Sequence, residues 1–430
     1  MTEPERHSHA VRGLALIAAL VSVITGSCGS SSSPLSRAAA PASTTTTTAP
    51  PAGLGSGAEL FVGGGVDVIA IGPGSGPAQV FLSAYGSTWR NVTPAGLTQQ
   101  TTGGLTVELA VSSVSFVDPD HGWLYACSEA SDTDGMFATT NGGRTWTALP
   151  PLGDCYNGDG PVQLLGNGLG YRELSAEPDR SPFQRTTDGG HTWQTVTEVS
   201  QTAAPWGTDF VFTDPENGYS ASGIQGDPQP VPYGSLAGQG PGYFATTHDG
   251  GITWTASTPP VSSGNLRLYD LPTLTKADEE VLPALGGTDQ APVLDFDVSS
   301  DDGLTWTTMG TLSSTITAGA DAFPNYPLPS VASSMTWWVY QPGPQPHIEV
   351  TTDGGATWST NPYFGPQPRN LVAVSASTAF IVTGGPQVPN SEVDVTSDGG
   401  RFWHIVVLPE VVPILVEVEV AVPRLAPAVW

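Results

Sequence analysis

The sequence predicts an all-β fold, a seven-bladed β-propeller of four-stranded antiparallel blades. Three observations carry this. First, a short phrase recurs. Thr139–Trp146 reads TTNGGRTW, Thr186–Trp193 TTDGGHTW, Thr247–Trp254 THDGGITW, Ser299–Trp306 SSDDGLTW, Thr351–Trp358 TTDGGATW and Thr396–Trp403 TSDGGRFW, with a worn copy at Ser83–Trp89, SAYGSTW. Second, the tryptophans that end the copies lie 57, 47, 61, 52, 52 and 45 residues apart. Such a period marks a repeat architecture. Third, the intervening segments alternate apolar and polar residues at the strand period and show no helical period. Radial closure of seven such units limits the open edges that so large a sheet would expose.

The second unit shows the plan most clearly. Val111–Asp118 and Trp123–Ser128 read as two strands joined by the turn Pro119-Asp120-His121-Gly122. Gly135–Thr140 reads as a third strand and Thr145–Leu149 as a fourth, with the repeated phrase in the turn between them. The fourth unit repeats this with DFVFTD at Asp209–Asp214, YSASG at Tyr219–Gly223 and YFATT at Tyr243–Thr247. The seventh does so with LVAVSAS at Leu371–Ser377, FIVTGG at Phe380–Gly385, EVDVTS at Glu392–Ser397 and FWHIVV at Phe402–Val407. The first unit is weaker but complete, from ELFVG at Glu59–Gly63 to TWRNV at Thr88–Val92.

Each part of the phrase has a structural task. The glycines permit backbone angles closed to other residues. The Asn or Asp (Asn141, Asp188, Asp249, Asp301, Asp353 and Asp398) accepts hydrogen bonds from turn amides, and the hydroxyl before it does the same. The tryptophans Trp89, Trp146, Trp193, Trp254, Trp306, Trp358 and Trp403 bury large rings between blades. Carboxylates that recur once per blade are spread around a ring and do not converge on one substrate.

These residues resemble the Asp-box (BNR) repeat, and the copies cover about Glu59 to Val407. VSFVDPDHGW at Val114–Trp123 and FVFTDPENGY at Phe210–Tyr219 are similar in texture to photosystem II assembly-factor-like propellers. The box also occurs in sialidases and other glycoside hydrolases, so the resemblance implies the fold and leaves activity to the site. A sialidase-like hydrolase, the enzymatic alternative, implies three convergent arginines, and the family's first lies in an Arg-Ile-Pro-type motif that this chain lacks. Of the propeller's arginines, Arg172, Arg267 and Arg369 are those whose positions approach a central funnel. No phosphate loop, nucleophile elbow or HExxH occurs. No catalytic residue, metal site or cofactor is expected.

The chain carries 13 Lys plus Arg against 40 Asp plus Glu, a net charge of −27. Nucleic acids and anionic membrane surfaces need a basic patch and are excluded as partners. An acidic surface either attracts basic partners or keeps an exported protein soluble. Residues 1–28 read as a signal peptide: Arg6 and Arg12 precede the apolar run Leu14–Ile24, too short to span a membrane comfortably. Cys28 after Gly26-Ser27 resembles a lipobox cysteine, with Thr25 where that motif prefers Leu. Residues 29–57 form a Ser-, Thr-, Pro- and Ala-rich tether. The propeller follows at 58–408, and 409–430 is a tail whose VEVEVAV, Val416–Val422, suits either a ring-closing strand or disorder. Export permits a Cys127–Cys155 disulfide, whose loop of about 28 residues would contribute on the order of 3 kcal/mol.

A binding surface is expected opposite the boxes, on loops held by a rigid scaffold. Ile224–Pro241, containing Tyr233, and Gly310–Pro329, containing Phe323 and Tyr326, are the conspicuous loops, with Trp206, Tyr363 and Arg369 placed nearby and Arg267 as a further binding candidate. Aromatics among Pro and Gly suit a sugar or an extended peptide, or else pack their own loops. The reading is an extracytoplasmic, lipid-anchored monomer that binds an envelope protein, secreted protein or glycan without catalysis.

Overall fold

The computed structural model describes residues 58–63, 65–71, 78–84, 88–100, 106–128, 133–153, 162–173, 180–200, 209–221, 244–257, 259–260, 268–275, 279–288, 291–313, 328–385 and 388–409. Within them the chain forms seven antiparallel sheets in sequence order, each a blade of four strands. Blade 1 comprises Ala58–Gly63, Val66–Ile71, Gln79–Ser83 and Arg90–Asn91. Blade 2 comprises Ala110–Phe116, Gly122–Ser128, Thr133–Thr139 and Thr147–Leu149. Blade 3 comprises Val162–Gly166, Leu169–Glu173, Arg180–Thr186 and Gln194–Ser200. Blade 4 comprises Asp209–Phe212, Gly218–Ala221, Phe244–Thr247 and Thr255–Ala256. Blade 5 has a first strand broken into Leu268–Tyr269 and Thr273–Leu274, then Glu280–Thr288, Ala291–Ser299 and Thr307–Ser313. Blade 6 comprises Leu328–Ser333, Thr336–Gln341, His347–Thr351 and Ser359–Pro362, and blade 7 Pro368–Ala373, Ala379–Gly385, Val388–Thr396 and His404–Ile405. A hairpin, Thr98–Gln100 with Thr106–Glu108, lies in the link from blade 1 to blade 2. Among the described residues the single helical turn is the short 3-10 segment Ala95–Leu97.

Strand residues alternate between two faces, so each blade offers one apolar face to each neighbour. The core accordingly divides into seven clusters, one at each joint between blades. Phe183 of blade 3 meets Phe210 and Phe212 of blade 4, and Phe296 of blade 5 meets Trp337 of blade 6. The ring closes where Leu60, Ile69 and Phe81 of blade 1 pack on Phe380, Val382 and Val393 of blade 7. Blade 7 draws all four strands from one continuous stretch, so side chains make this closure. The tail expected at 409–430 lies outside the described residues beyond Pro409.

The box tryptophans sit at these joints as the sequence predicts. Trp89 packs edge-on to Phe380 across the closure, with centroids 6.4 Å apart. Trp254 meets Phe183 and Phe212 edge-on, Trp306 meets Tyr219 and Phe244, and Trp403 meets Trp338 and Tyr363. Edge-to-face pairs of this kind add about 0.5–1.5 kcal/mol each beyond burial. The adjacent Trp337 and Trp338 point to opposite faces, both fully buried. Trp337 stacks on Phe296 at 4.3 Å, and Trp338 faces blade 7.

Side chains also clasp the first strands to one another. Gln163 of blade 3 accepts the Phe212 N–H of blade 4 at 2.7 Å and donates to the Phe212 carbonyl at 3.0 Å. Ser115 of blade 2 donates to the Leu164 carbonyl of blade 3, and Ser330 of blade 6 accepts the Ala373 N–H of blade 7. The glycine that opens the second strand makes room for an aromatic ring. A β-carbon at Gly122 would lie 2.5 Å from the Phe116 ring, and one at Gly218 2.8 Å from Phe212.

Candidate functional site

The repeated turns consume their own polar groups. In blade 3, Thr186 donates to Asp188 Oδ1 at 2.8 Å and accepts the Gly190 N–H at 3.0 Å. Asp188 then accepts the Thr192 N–H at 2.8 Å and the Thr192 hydroxyl at 2.6 Å. Asp249, Asp301 and Asp353 repeat this pattern with Thr253, Thr305 and Thr357. Asn141 accepts the Thr145 N–H in the same way, and Asp398 accepts from Arg401 and Phe402. The Thr192 hydroxyl and amide hold the Asp188 carboxyl down at about 2. The five aspartates are ionised turn anchors held below the usual carboxylate range, and Asn141 anchors its turn without a charge. The paired glycines take positive φ, and at Asp302 (φ 57°) an aspartate occupies the first glycine's place.

The turns also define a face. The Gly142 amide donates to the Asp120 carbonyl, Gly189 to Gly168, Gly250 to Glu216, Gly354 to Met335 and Gly399 to Ser377. In blades 2, 3, 4, 6 and 7 the box turn therefore docks on the turn between strands one and two. Antiparallel order places the loop between strands two and three, and the link to the next blade, at the other end.

That opposite face is best described at blades 6 and 7. The blade 6 loop, residues 342–346, is Pro-Gly-Pro-Gln-Pro, and the link to blade 7, residues 363–367, is Tyr-Phe-Gly-Pro-Gln. The Tyr363 N–H donates to the Pro346 carbonyl at 3.0 Å, joining the two. The Tyr363 ring lies buried, edge-on to Tyr340 and Trp403 at 5.9 Å each. Its hydroxyl donates to Asp394 Oδ2 at 3.2 Å, and burial pushes the phenol's pKa far up. Gly365 folds over this ring, and a side chain there would collide with the phenol. Phe364, between these fixed neighbours, points outward and is 92% exposed. Pro344, Gln345, Pro362 and Pro366 are exposed around it.

The structure places the expected site residues unevenly. Tyr363, read from sequence as a binding aromatic, belongs to the core at the blade 6–7 joint, because its ring fills the space beside Trp403. Its neighbour Phe364 takes the surface position. Arg369 is half-buried on the first strand of blade 7. Arg172 is not turned to an open funnel: it is buried, its guanidinium 5.2 Å over the Trp193 ring and its Nε donating to Gln184. Trp206, Tyr233, Arg267, Phe323 and Tyr326 lie outside the described residues, as do Cys28 and Cys155. Cys127 is disulfide-bonded, its partner also outside them.

Three described carboxyls are pushed upward by burial: Glu280, Asp297 (to about 7) and Asp394. All three are buried at joints between blades. Among the described residues no cluster of His, Cys, Asp or Glu suits a metal ion, and no helix is long and apolar enough to cross a membrane.

The chain matches no protein-family profile and no curated protein sequence. Among solved structures it is similar to YCF48 bound to a D1 peptide, at 15% identity over 81% of this chain and 96% of that one, TM-score 0.49. It is similar to a lectin, BP39L from Burkholderia pseudomallei, at 12% identity over 80% and 95%, TM-score 0.48. It is also similar to a polysaccharide lyase, an ulvan lyase bound to a glucuronate–sulfated rhamnose saccharide, at 9% identity over 82% and 96%, TM-score 0.45.

Proposed function

We propose that this chain is an Asp-box propeller that works outside the cytoplasm, anchored through lipidated Cys28, as a non-enzymatic binding module for a protein or glycan. One observation carries the binding reading. Phe364 stands almost wholly in solvent on a loop whose neighbours are fixed by the Tyr363–Asp394 bond, the Tyr363–Pro346 bond and the packing of Gly365. A large apolar ring held out on a rigid frame is a preorganised contact, since little ordering entropy remains to be lost on binding. Exposed prolines beside it extend a surface suited to stacking on a sugar ring or packing along an extended peptide. The expected leader and lipobox cysteine support export, and the disulfide-bonded Cys127 is in keeping with an oxidising compartment.

The test compares the full chain with Phe364→Ala on a printed glycan array and an array of overlapping envelope-protein peptides. The proposal expects a reproducible ligand class for the wild type and its loss in the variant, with thermal stability unchanged. Equal retention by both chains, or turnover of fluorogenic glycosides by the wild type, would overturn it. The anchor is tested separately by labelling with radioactive fatty acid, which Cys28→Ala is expected to abolish.

A further inference from the structure

Two blade joints enclose carboxyl groups where hydrocarbon would be expected. On blade 5, Glu280 (1% exposed) lies on the second strand and Asp297 (0%) on the third. Asp297 pairs with Leu282 across the ladder, and Glu280 lies two residues from Leu282 on that face. Leu282 belongs to the cluster shared with blade 4, so both carboxyls face that joint. From blade 4 the Tyr219 hydroxyl donates to Glu280 Oε1 at 3.2 Å. Thr308 donates to Asp297 Oδ1 at 2.7 Å. The second oxygen of each, Glu280 Oε2 and Asp297 Oδ2, has no partner. On blade 7, Asp394 (5% exposed) pairs across the ladder with Ile381, a member of the blade 6–7 cluster, and accepts from Tyr363 of blade 6.

The charged groups that face these carboxyls are themselves acidic. Asp295 faces Asp297 along the strand, Asp301 and Asp302 act on Glu280, and Glu392 acts on Asp394. Their other close partners are the hydroxyls already named and, for Glu280, its own backbone N–H. No arginine, lysine or histidine among the described residues pairs with any of the three. A buried carboxylate without a cation or a full set of donors is costly, and binding a proton removes that cost.

We propose that the ring is locked by protons: the carboxyls of Glu280, Asp297 and Asp394 stay protonated in the folded chain under mildly acidic conditions, and the joints between blades 4 and 5 and between blades 6 and 7 weaken as the medium turns alkaline. The sign follows from linkage. The folded chain binds these protons more tightly than the unfolded chain. Their contribution to stability is full below the unfolded carboxylate values, about 4, and is lost as pH rises from there through the folded-state values. For Asp297, raised from 3.8 to about 7, the unfolding equilibrium constant grows about thirty-fold between roughly pH 5.5 and pH 8.5. The box carboxylates do not contribute there, because their shifts are downward.

The test is the melting temperature of the full chain across that pH range, for the wild type and for Glu280→Gln/Asp297→Asn/Asp394→Asn. The wild type is expected to lose stability steadily toward alkaline pH. The triple variant, which carries uncharged amides at the three sites, is expected to be nearly flat. A flat wild-type profile, or the same slope in the variant, would overturn the proposal. Should the triple variant not fold, infrared spectra of the folded wild type decide the matter. A protonated-carboxyl C=O band in mild acid that fades on alkalinisation supports it, and absence of the band contradicts it.

Discussion

Gln163→Leu removes the clasp between the first strands of blades 3 and 4 while keeping the approximate volume of the side chain. The wild-type amide fills both free positions of Phe212, accepting its N–H at 2.7 Å and donating to its carbonyl at 3.0 Å. Phe212 lies on an inner strand whose other edge is paired to blade 4's second strand, so these two groups have no ladder partner of their own. Two neutral hydrogen bonds contribute about 0.5–1.5 kcal/mol each, and a shielded group left without a partner costs more, so the expected loss is about 2–4 kcal/mol. Urea titration of the full chain, followed by tryptophan fluorescence, reads this directly, because Trp254 sits on Phe212 at the same joint. Gln345→Leu, on an exposed loop, is the control, with an expected change within about 0.5 kcal/mol. A Gln163→Leu loss no larger than the control's would show that the clasp contributes nothing and that ring closure rests on apolar burial alone.

Other expectations follow from the same geometry. Asp188→Asn should lower the melting temperature near neutral pH. The wild type should lose this contribution as pH falls below the unfolded carboxylate range toward about 2, since the folded value is depressed by the Thr192 bonds; an acid melting series checks the sign. Gly122→Ala places a methyl against the Phe116 ring and should cost about 1–3 kcal/mol by overpacking in a urea titration. Asp302→Gly removes the side chain from a left-handed position (φ 57°) and should stabilise by no more than about 1 kcal/mol in the same assay. Phe364→Ala should leave thermal stability within about 0.5 kcal/mol of wild type, because the ring is in solvent.

The blade count and the role of the boxes were legible because both are local. The phrase, its period and the strand alternation are written in contiguous residues, and the hydrogen bonds of Thr186, Asp188 and Thr192 all fall between Thr186 and Thr192. The clasps were not legible. Gln163 and Phe212 belong to different repeats, and no spacing rule joins them. Tyr363 and Phe364 show the limit at the candidate site. The sequence reading names Tyr363 for binding and passes over Phe364. The distant Asp394 and the packing of Gly365 decide which ring turns inward. Likewise, Asp297 and Glu280 looked like two among 40 acidic residues until the blade 4–5 joint closed over them.

The central claim is that the box face builds the ring and the opposite face binds. Its most direct test sets Phe364→Ala beside Phe402→Ala on the same glycan and peptide arrays. Both rings are exposed, at 92% and 69%, one on the loop face and one within a box turn. Binding is expected to be lost in Phe364→Ala and kept in Phe402→Ala. Loss in Phe402→Ala with retention in Phe364→Ala would contradict it.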